Sequence, residues 1–238
     1  VQGGVLMFYV VLNGVPSSAK RIVVPKRPNI PAPEPNYTDT EIPGIDGSYV
    51  EFDETYKDIS IKIEFNYITN PDNWHNVWRN IKRWLLRGKI REMQFSDDLS
   101  FFYRVKKVIL NTNEREFNET GKFTAVFTVA PYEYLTTGKF QHTAEQCKIN
   151  QFDDSFPNYI IRGEGMCTLT INGNSMTANI SEEMIINTQL KIAYRDNGGY
   201  ENVPVTGDFD DLKLVHGNNT ISISDGFELL IEPNWRCL

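Results

Sequence analysis

The chain has 238 residues, of which 40% are hydrophobic and 23% charged, and its formal net charge at pH 7 is −7. This length is typical of two ordinary domains, each large enough to bury a core. An acidic chain gains little from counterion release, which disfavours specific binding to DNA or RNA. Three cysteines are too few for a disulfide framework and favour a reducing compartment. The apolar run Val5–Leu12 is too short to span a bilayer, so we expect no membrane segment.

The first forty residues predict a short strand followed by a proline-rich segment. Phe8–Leu12 is the candidate strand, and Ile22–Val24 is its candidate partner. Five of the twelve prolines then lie in Pro25–Pro35. Proline fixes φ and lacks an N–H donor, so this segment must be extended and cannot occupy a central strand. Two interpretations stay open: a linker or loop that covers its own domain, or an arm that lies on a neighbouring subunit.

The middle of the chain predicts a strand and an amphipathic helix. Apolar and polar residues alternate over Ile59–Tyr67, which indicates a strand with one buried face. Asn70-Pro71-Asp72 opens a helix, and Gly88 ends it. Trp78 and Ile81 lie at the centre of its apolar sector.

Further strands follow the helix without βαβ alternation. Tyr103–Ile109 and Phe123–Val129 alternate in the same way, and we expect Pro131 to break the last strand. This order predicts an α+β domain, in which one amphipathic helix covers a mainly antiparallel sheet or barrel.

The second part of the chain predicts an all-β domain. A polar stretch from Thr136 to Pro157 separates the two parts, and we place the boundary between residues 142 and 143. Beyond it, short alternating segments are joined by turns such as Asn172-Gly173-Asn174. This pattern is typical of a β-sandwich or jelly roll.

No constellation of residues indicates catalysis, a cofactor or a metal. Phosphate-loop and nucleophile-elbow motifs are absent, and the three histidines lack ligand spacing. The acidic pairs that a glycosidase would need are present only as doublets in predicted turns, where capping and solvation are the usual roles. The doublets are Asp97-Asp98, Asp153-Asp154, Glu182-Glu183 and Asp210-Asp211.

The polar side of the predicted helix is strongly basic and also carries an apolar residue, Leu86. An exposed face whose charge is balanced elsewhere is one interpretation. The other is a contact with an acidic partner surface, for which another copy of this acidic chain is one candidate. The candidate contact residues are Arg79, Lys82, Arg83, Leu86 and Arg87.

The chain carries an ordered series of motifs in two parts. In the first part the series consists of Ile42–Ser48, the strand Ile59–Ile68, the helix ending Ile81–Leu85, Phe95–Asp98, Phe101–Val105, Phe123–Phe127 and Pro131-Tyr132. In the second part it consists of Gly163–Gly165, Leu169–Gly173, Gly207–Phe209 with Leu212, Gly217–Ile221 and Pro233–Arg236. In its order and spacing this series resembles the distal tail proteins of siphophages that infect Gram-positive hosts. The resemblance covers about residues 40–135 and 160–238, and the proline-rich start departs from it.

This resemblance implies a structural protein of the phage tail tip rather than an enzyme, with no cofactor. Residues 1–142 would form the belt domain of a homohexameric ring, and residues 143–238 a galectin-like β-sandwich. The implied partners are other copies of the chain, the tail tube protein, the tape-measure protein, the tail-tip lysin or fibre, and receptor-binding proteins. DNA would pass through the bore without specific binding. The protein would be assembled in the host cytoplasm and reside at the virion tail tip.

Within this resemblance, Pro43, Gly44, Asp46 and Gly47 form the family's turn motif. The glycines can take positive φ, so we expect a tight turn at the entry to the first domain, capped by the Asp46 side chain. We expect these residues to be architectural rather than a binding site.

A carbohydrate-binding adhesion module that contacts host cell-wall glycans is the alternative function, because sandwiches of this class commonly hold sugars. Such a site places an aromatic ring beside polar groups. The candidates are Trp235, Tyr194 and Tyr200, although Trp235 can equally fill a core.

Overall fold

The computed structural model describes residues 8–87, 89–117, 119–196 and 200–238. The chain divides into two compact units: one runs to Glu133 and includes Leu238, and the other is Tyr134–Cys237. Most of the described chain is β-structure, and it contains a single α-helix. The predicted combination of β-rich architecture with one amphipathic helix is therefore confirmed at this level.

The first unit is built on an antiparallel sheet. The strands follow the order β2-β1-β7-β8-β10-β6-β3, and β9 also pairs with β10. Two further strands, β4 and β5, pair only with each other and form a separate hairpin. The strands are β1 Val10–Leu12, β2 Val15–Pro16, β3 Ile22–Val23, β4 Pro35–Glu41, β5 Ser48–Tyr56, β6 Ile59–Ile68, β7 Glu92–Phe95, β8 Asp98–Leu110, β9 Glu114–Phe117 and β10 Thr120–Leu135.

The helix lies between β6 and β7 and changes its winding along its length. A 3₁₀ turn at Pro71–Asn73 leads into α1 at Trp74–Lys82, and Arg83–Arg87 continues as one π-helical turn. Proline at the first position suits a helix start, because its missing N–H has no partner there. Gly88, the predicted end of the helix, lies outside the described residues. Ile81 and Leu85 point into the core and are only 4% and 1% exposed.

The core of the first unit joins this helix to the centre of the sheet. Phe65 of β6 stacks on Phe123 of β10 with ring centroids 5.1 Å apart, and Trp78 lies 5.3 Å from Phe123. Gly121 lies directly beneath the Tyr67 ring, so any side chain there would occupy the position of the ring. The sequence periodicity places Trp78 at the centre of the apolar sector of the helix. In the structure Trp78 is only half-buried, and Ile81 and Leu85 are buried more deeply.

One detail of the first unit differs from the sequence-based expectations. Pro131 does not break the last strand, since β10 continues to Leu135. The pairing of β10 with β6 ends at Val129, so no backbone N–H is needed at Pro131 to pair with that strand.

The proline-rich segment lies on its own unit: Ile30 packs against the core, and Arg27 forms an ion pair with Asp97 at 2.5 Å. The covering-loop interpretation therefore describes it.

The second unit contains no α-helix among its described residues. Its larger sheet has the order β11-β20-β13-β14-β15-β16, with β17 on β14 and β19 on β13, while β12 pairs with β18. The strands of this part of the chain are β11 His142–Thr143, β12 Ile149–Asn150, β13 Asn158–Ile171, β14 Asn174–Asn187, β15 Ile192–Asp196, β16 Tyr200–Asn202, β17 Val205–Thr206, β18 Gly217–Asn218, β19 Ile221–Ile223, β20 Glu228–Glu232 and β21 Arg236–Cys237.

The hairpin of β13 and β14 organises this unit. Asn172 and Gly173 both have positive φ and form the predicted two-residue turn, which brings Ile171 opposite Asn174. The first half of β13 pairs with β20 and its second half with β19. Gly163 has a φ of 150°, and Phe227 occupies the space beside it that a side chain would fill.

The units divide between Glu133 and Tyr134, earlier than the 142/143 boundary expected from composition. Backbone hydrogen bonds explain why the intervening residues belong to the second unit. Leu135 donates its N–H to the carbonyl of Trp235 at 2.9 Å, and Asn234 donates to the carbonyl of Gly138 at 2.9 Å. Composition marked this segment as polar, but its backbone pairing assigns it to the β-rich second unit.

Truncation of the helix core should destabilise the protein, whereas truncation on the opposite side should not. Ile81→Ala removes most of a buried side chain, so we expect a loss of about 2–4 kcal/mol in the free energy of unfolding. Leu86→Ala is the matched control, because Leu86 is 52% exposed on the same helical segment. Chemical denaturation measures both changes, and equal midpoints for the two variants would contradict this packing.

The second unit should fold by itself, and its first residues should contribute to its stability. A fragment of residues 134–237 should unfold cooperatively, with an all-β circular dichroism spectrum. A fragment of residues 143–238 lacks the hydrogen bonds to Trp235 and Asn234 and should be less stable by about 2 kcal/mol, at roughly 1 kcal/mol for each bond. Equal stabilities would favour the 142/143 boundary instead.

Alkaline pH should weaken the second unit through its buried thiol. Cys147 is fully buried, and this burial raises the pKa of its thiol from 9.0 to about 12. The folded state therefore retains a proton that the unfolded chain loses above pH 9, so stability falls as pH rises from about 9 to 12. Cys147→Ala should reduce the loss of unfolding free energy between pH 8 and 10 by about 1 kcal/mol. An unchanged slope in Cys147→Ala would refute this assignment.

Candidate functional site

The structure gathers the predicted basic residues on one exposed side of the helix. Arg79 lies in α1, and Arg83 and Arg87 begin and end the π-helical turn that follows it. Burial of Ile81 and Leu85 on the opposite side turns these cations toward solvent, together with Lys82. Within the described part of the chain, none of the four forms an ion pair; Arg79 bonds to the amide oxygen of Asn76 at 2.9 Å.

Leu86 lies among these cations and is 52% exposed. An exposed leucine within a basic surface combines apolar area with charge, as contact surfaces between proteins do. We call Arg79, Lys82, Arg83, Leu86 and Arg87 the basic helix face.

A groove runs beside the helix and adjoins this face. Its apolar floor is formed by Ile22 of β3 and by Val77, Ile81 and Trp84 of the helical segment. Its rim carries two cations, Lys20 and Arg83, and Asn80. The groove encloses about 440 Å³, so it has room for an apolar side chain. An aliphatic group flanked by a carboxylate has the chemistry to fill it.

The hairpin of β4 and β5 is the second surface of this unit, and sequence analysis did not predict it. Nearly all of its residues are exposed on both faces. It carries six acidic residues and no basic residue: Asp39, Glu41, Asp46, Glu51, Asp53 and Glu54. None of these carboxylates forms an ion pair with another described residue.

An aromatic row runs along one side of this acidic hairpin to its base. Tyr37 and Phe52 are cross-strand partners 5.9 Å apart, and Phe52 lies 5.7 Å from Tyr56. Tyr56 in turn meets Tyr132 of β10 edge to face at 6.1 Å. These contacts anchor the base of the hairpin to the unit, while its outer half stays uncovered.

The family turn motif lies at the tip of this hairpin, not at an entry to the domain. Gly44 and Gly47 have φ values of 84° and 90°, which permit the tight reversal between β4 and β5. Ile45 donates its backbone N–H to the carbonyl of Ile42 at 3.2 Å and closes the turn. The Asp46 side chain makes no hydrogen bond to the described residues, so the expected cap is absent there. Ile42 and Ile45 are 43% and 64% exposed.

The candidate glycan residues are not gathered at one place in the second unit. Tyr194 lies on β15 and Trp235 follows β20, and two strands separate β15 from β20 in the sheet. The Trp235 ring packs against the second core and lies 5.0 Å from His142, and its indole N–H is buried without a partner among the described residues. Tyr200 begins β16, but its side chain lies outside the described residues.

Each acidic doublet contains a carboxylate that is paired with a cation. Asp97 pairs with Arg27, Asp154 with Lys213, Glu183 with Arg162 and Asp210 with Lys191. Burial opposes ionisation of Asp154, but Lys213 and the N–H of His216 together lower the pKa of its carboxyl group. A general acid requires the opposite shift. These pairs are structural ion pairs in the described chain.

The remaining reactive side chains are also committed to packing or to hydrogen bonds. His142 and His216 donate ring N–H groups to the carbonyls of Thr137 and Phe152. Cys147 and Cys167 are buried. Among the described residues, no group of acidic, histidine and cysteine side chains is arranged to hold a metal, and no helix has the length and apolar character needed to cross a membrane.

Comparison with known proteins identifies a fold. No family model matches the chain, and no curated protein matches its sequence. Among solved structures, it is similar to the crystal structure of the Dit protein of phage SPP1, with a TM-score of 0.66 and 13% sequence identity. The likeness covers 97% of this chain and 99% of that protein, which is described as a paradigm of the hub of the adsorption apparatus in phages infecting Gram-positive bacteria. The two chains share a fold over essentially their whole length.

Proposed function

We propose that this chain is a structural hub protein at the tail tip of a bacteriophage. The observation that carries the proposal is the fold likeness to SPP1 Dit, which extends over both units. The ordered series of motifs in the sequence supports the same assignment independently of that structure. The chemistry of the described side chains agrees with a structural role, because one carboxylate of each acidic doublet forms an ion pair and both His142 and His216 form hydrogen bonds.

The first unit is the ring-forming domain in this proposal, and six copies close into a belt at the end of the tail tube. A tube is a stack of rings, so its terminal adaptor must match the symmetry of the tube. The second unit is a galectin-like sandwich in this proposal. The belt contacts the tail tube and tape-measure proteins, and the tail-tip lysin or fibre and the receptor-binding proteins complete the assembly. The virion tail tip is its final location, after assembly in the host cytoplasm.

The electrostatics of the chain suit a ring through which DNA passes. Six copies, each with a charge of −7, give an acidic assembly that does not attract phosphate groups as a basic pore would. We therefore expect the bore to be acidic or neutral, with the basic helix face turned into contacts between subunits.

The purified chain should form a closed assembly at high concentration. Six chains of 27.4 kDa give about 164 kDa, and sedimentation velocity or light scattering measures this mass directly. The number of copies in reconstituted tail tips is a second measurement, because neighbouring tail proteins can stabilise a weak ring. A stable closed dimer or tetramer, in solution or in tips, would refute the six-fold ring.

A further inference from the structure

Three cavities of the first unit meet at the short strand β3. Ile22 of β3 lines the groove beside the helix, and with Val23 it also lines a second cavity of about 330 Å³, which we call the seam cavity. Lys20 and Arg21, which directly precede β3, line a third cavity of about 380 Å³. The residues around β3 are therefore the most concave part of the described surface of this unit.

The curl of the sheet places its two ends close together at this point. β2 and β3 lie at opposite ends of the strand order, yet only the 3₁₀ turn Ser17–Lys20 and Arg21 separate them in the chain. The sheet forms a curled half-barrel. Phe8 and Tyr9, which precede β1, line the seam cavity together with β3. The seam cavity therefore lies between the two ends of the sheet.

The backbone of β3 offers hydrogen-bonding groups on its outer side. β3 is the last strand of the order and pairs only with β6, where Ile22 lies opposite Tyr67 and Val23 opposite Asn66. Successive residues of an antiparallel pair point their N–H and C=O groups alternately toward and away from the partner strand. One of the two β3 residues therefore directs these groups away from β6, where no described strand lies. A free strand edge of this kind accepts an extended peptide.

The two apolar cavities lie on different faces of the sheet. The groove beside the helix lies on the face that packs on the helix, toward which Ile22 and Tyr67 point. Val23 and Ile68, which line the seam cavity, alternate with them and point to the other face, where Ile68 is 71% exposed. Two consecutive side chains of a strand added beside β3 would therefore enter one cavity each.

The charge around β3 favours an acidic occupant. Lys20, Arg21 and Arg83 line these cavities, and none of the three forms an ion pair with a described residue. Glu119 is the one carboxylate among the described residues that line the three cavities. Carboxylates beside the two apolar side chains of an added strand would reach these cations.

We propose that β3 binds an extended acidic segment of another protein, which joins the sheet as a further strand. Two consecutive apolar side chains of this segment fill the groove beside the helix and the seam cavity, and flanking carboxylates pair with Lys20, Arg21 or Arg83. The described strands of this chain are already paired within their own sheets, so a different protein is favoured over a second copy. This inference does not depend on the number of copies in the proposed ring.

An array of synthetic octapeptides tests this binding with the full-length protein. Each peptide carries glutamate on both sides of a central pair that is varied over all amino acids, and fluorescence polarisation gives the dissociation constants of the labelled peptides. We expect large apolar pairs to bind at least ~10-fold more tightly than a Ser-Ser pair, because they bury apolar surface in both cavities. Proline at one of the two central positions should abolish binding, because it removes an N–H that the added strand donates to β3.

Variants of the protein locate the binding site. Lys20→Glu combined with Arg21→Glu reverses the charge around β3, and Ile68→Ser removes apolar surface from the seam cavity. Each should weaken the best apolar peptide by at least ~10-fold. The matched controls on β8, Lys107→Glu and Ile109→Ser, should leave its dissociation constant unchanged. All five positions are exposed, so every variant should keep the wild-type circular dichroism spectrum and thermal unfolding.

Amide hydrogen exchange shows whether the peptide joins the sheet. The bound peptide should slow exchange in Ile22–Val23, and binding without this protection overturns strand addition. Apolar pairs that bind no better than Ser-Ser, or binding that survives the charge reversal, overturn the site. Self-association of the wild type that the charge reversal abolishes, without any peptide binding, would identify a second copy as the occupant and overturn the proposal. The assembly mass is measured separately, so none of these results bears on the proposed function.

Discussion

Burial of one side of the helix against β6 and β10 is the constraint on which the first unit depends. Phe123 stacks on Phe65 and meets Trp78, while Ile81 and Leu85 complete the core beneath the helix. Since a helix that buries one side must expose the other, this packing alone fixes where the basic helix face points. The same packing forms one wall of the groove, so any loss of core geometry would also change the surface that we assign to peptide binding.

The hairpin of β4 and β5, in contrast to the helix, contributes almost nothing to the core. It buries almost no side chain, and an isolated two-stranded hairpin is marginal in water. Six uncompensated carboxylates add mutual repulsion. Its aromatic row reaches Tyr132 and anchors the base of the hairpin. The exposed tip is not stabilised by packing against the rest of its unit. The hairpin therefore adds little to the stability of its own unit.

Prediction from sequence succeeded where one side of an element is buried. Ile59–Ile68 and the Asn172-Gly173 turn follow directly from periodicity and turn chemistry, and the structure places both as expected. The hairpin was missed because its apolar residues, such as Tyr37 and Phe52, do not alternate regularly with polar ones and so leave no strand periodicity to detect. Its tip was recognised only as a family motif and was placed at a domain entry. The contact-based division falls earlier than the boundary predicted from composition, because backbone hydrogen bonds, which leave no compositional signal, join Leu135 and Gly138 to the second unit.

Segregation of charge within the first unit limits which surfaces of two copies attract each other in the proposed assembly. A two-fold contact through the hairpins would bring carboxylates together, and a two-fold contact through the helices would bring cations together. Both arrangements are repulsive, whereas hairpin to helix is attractive, so the pattern favours heterologous contacts over isologous ones. Heterologous contacts close only when the rotation per subunit divides the circle, and otherwise they extend as filaments.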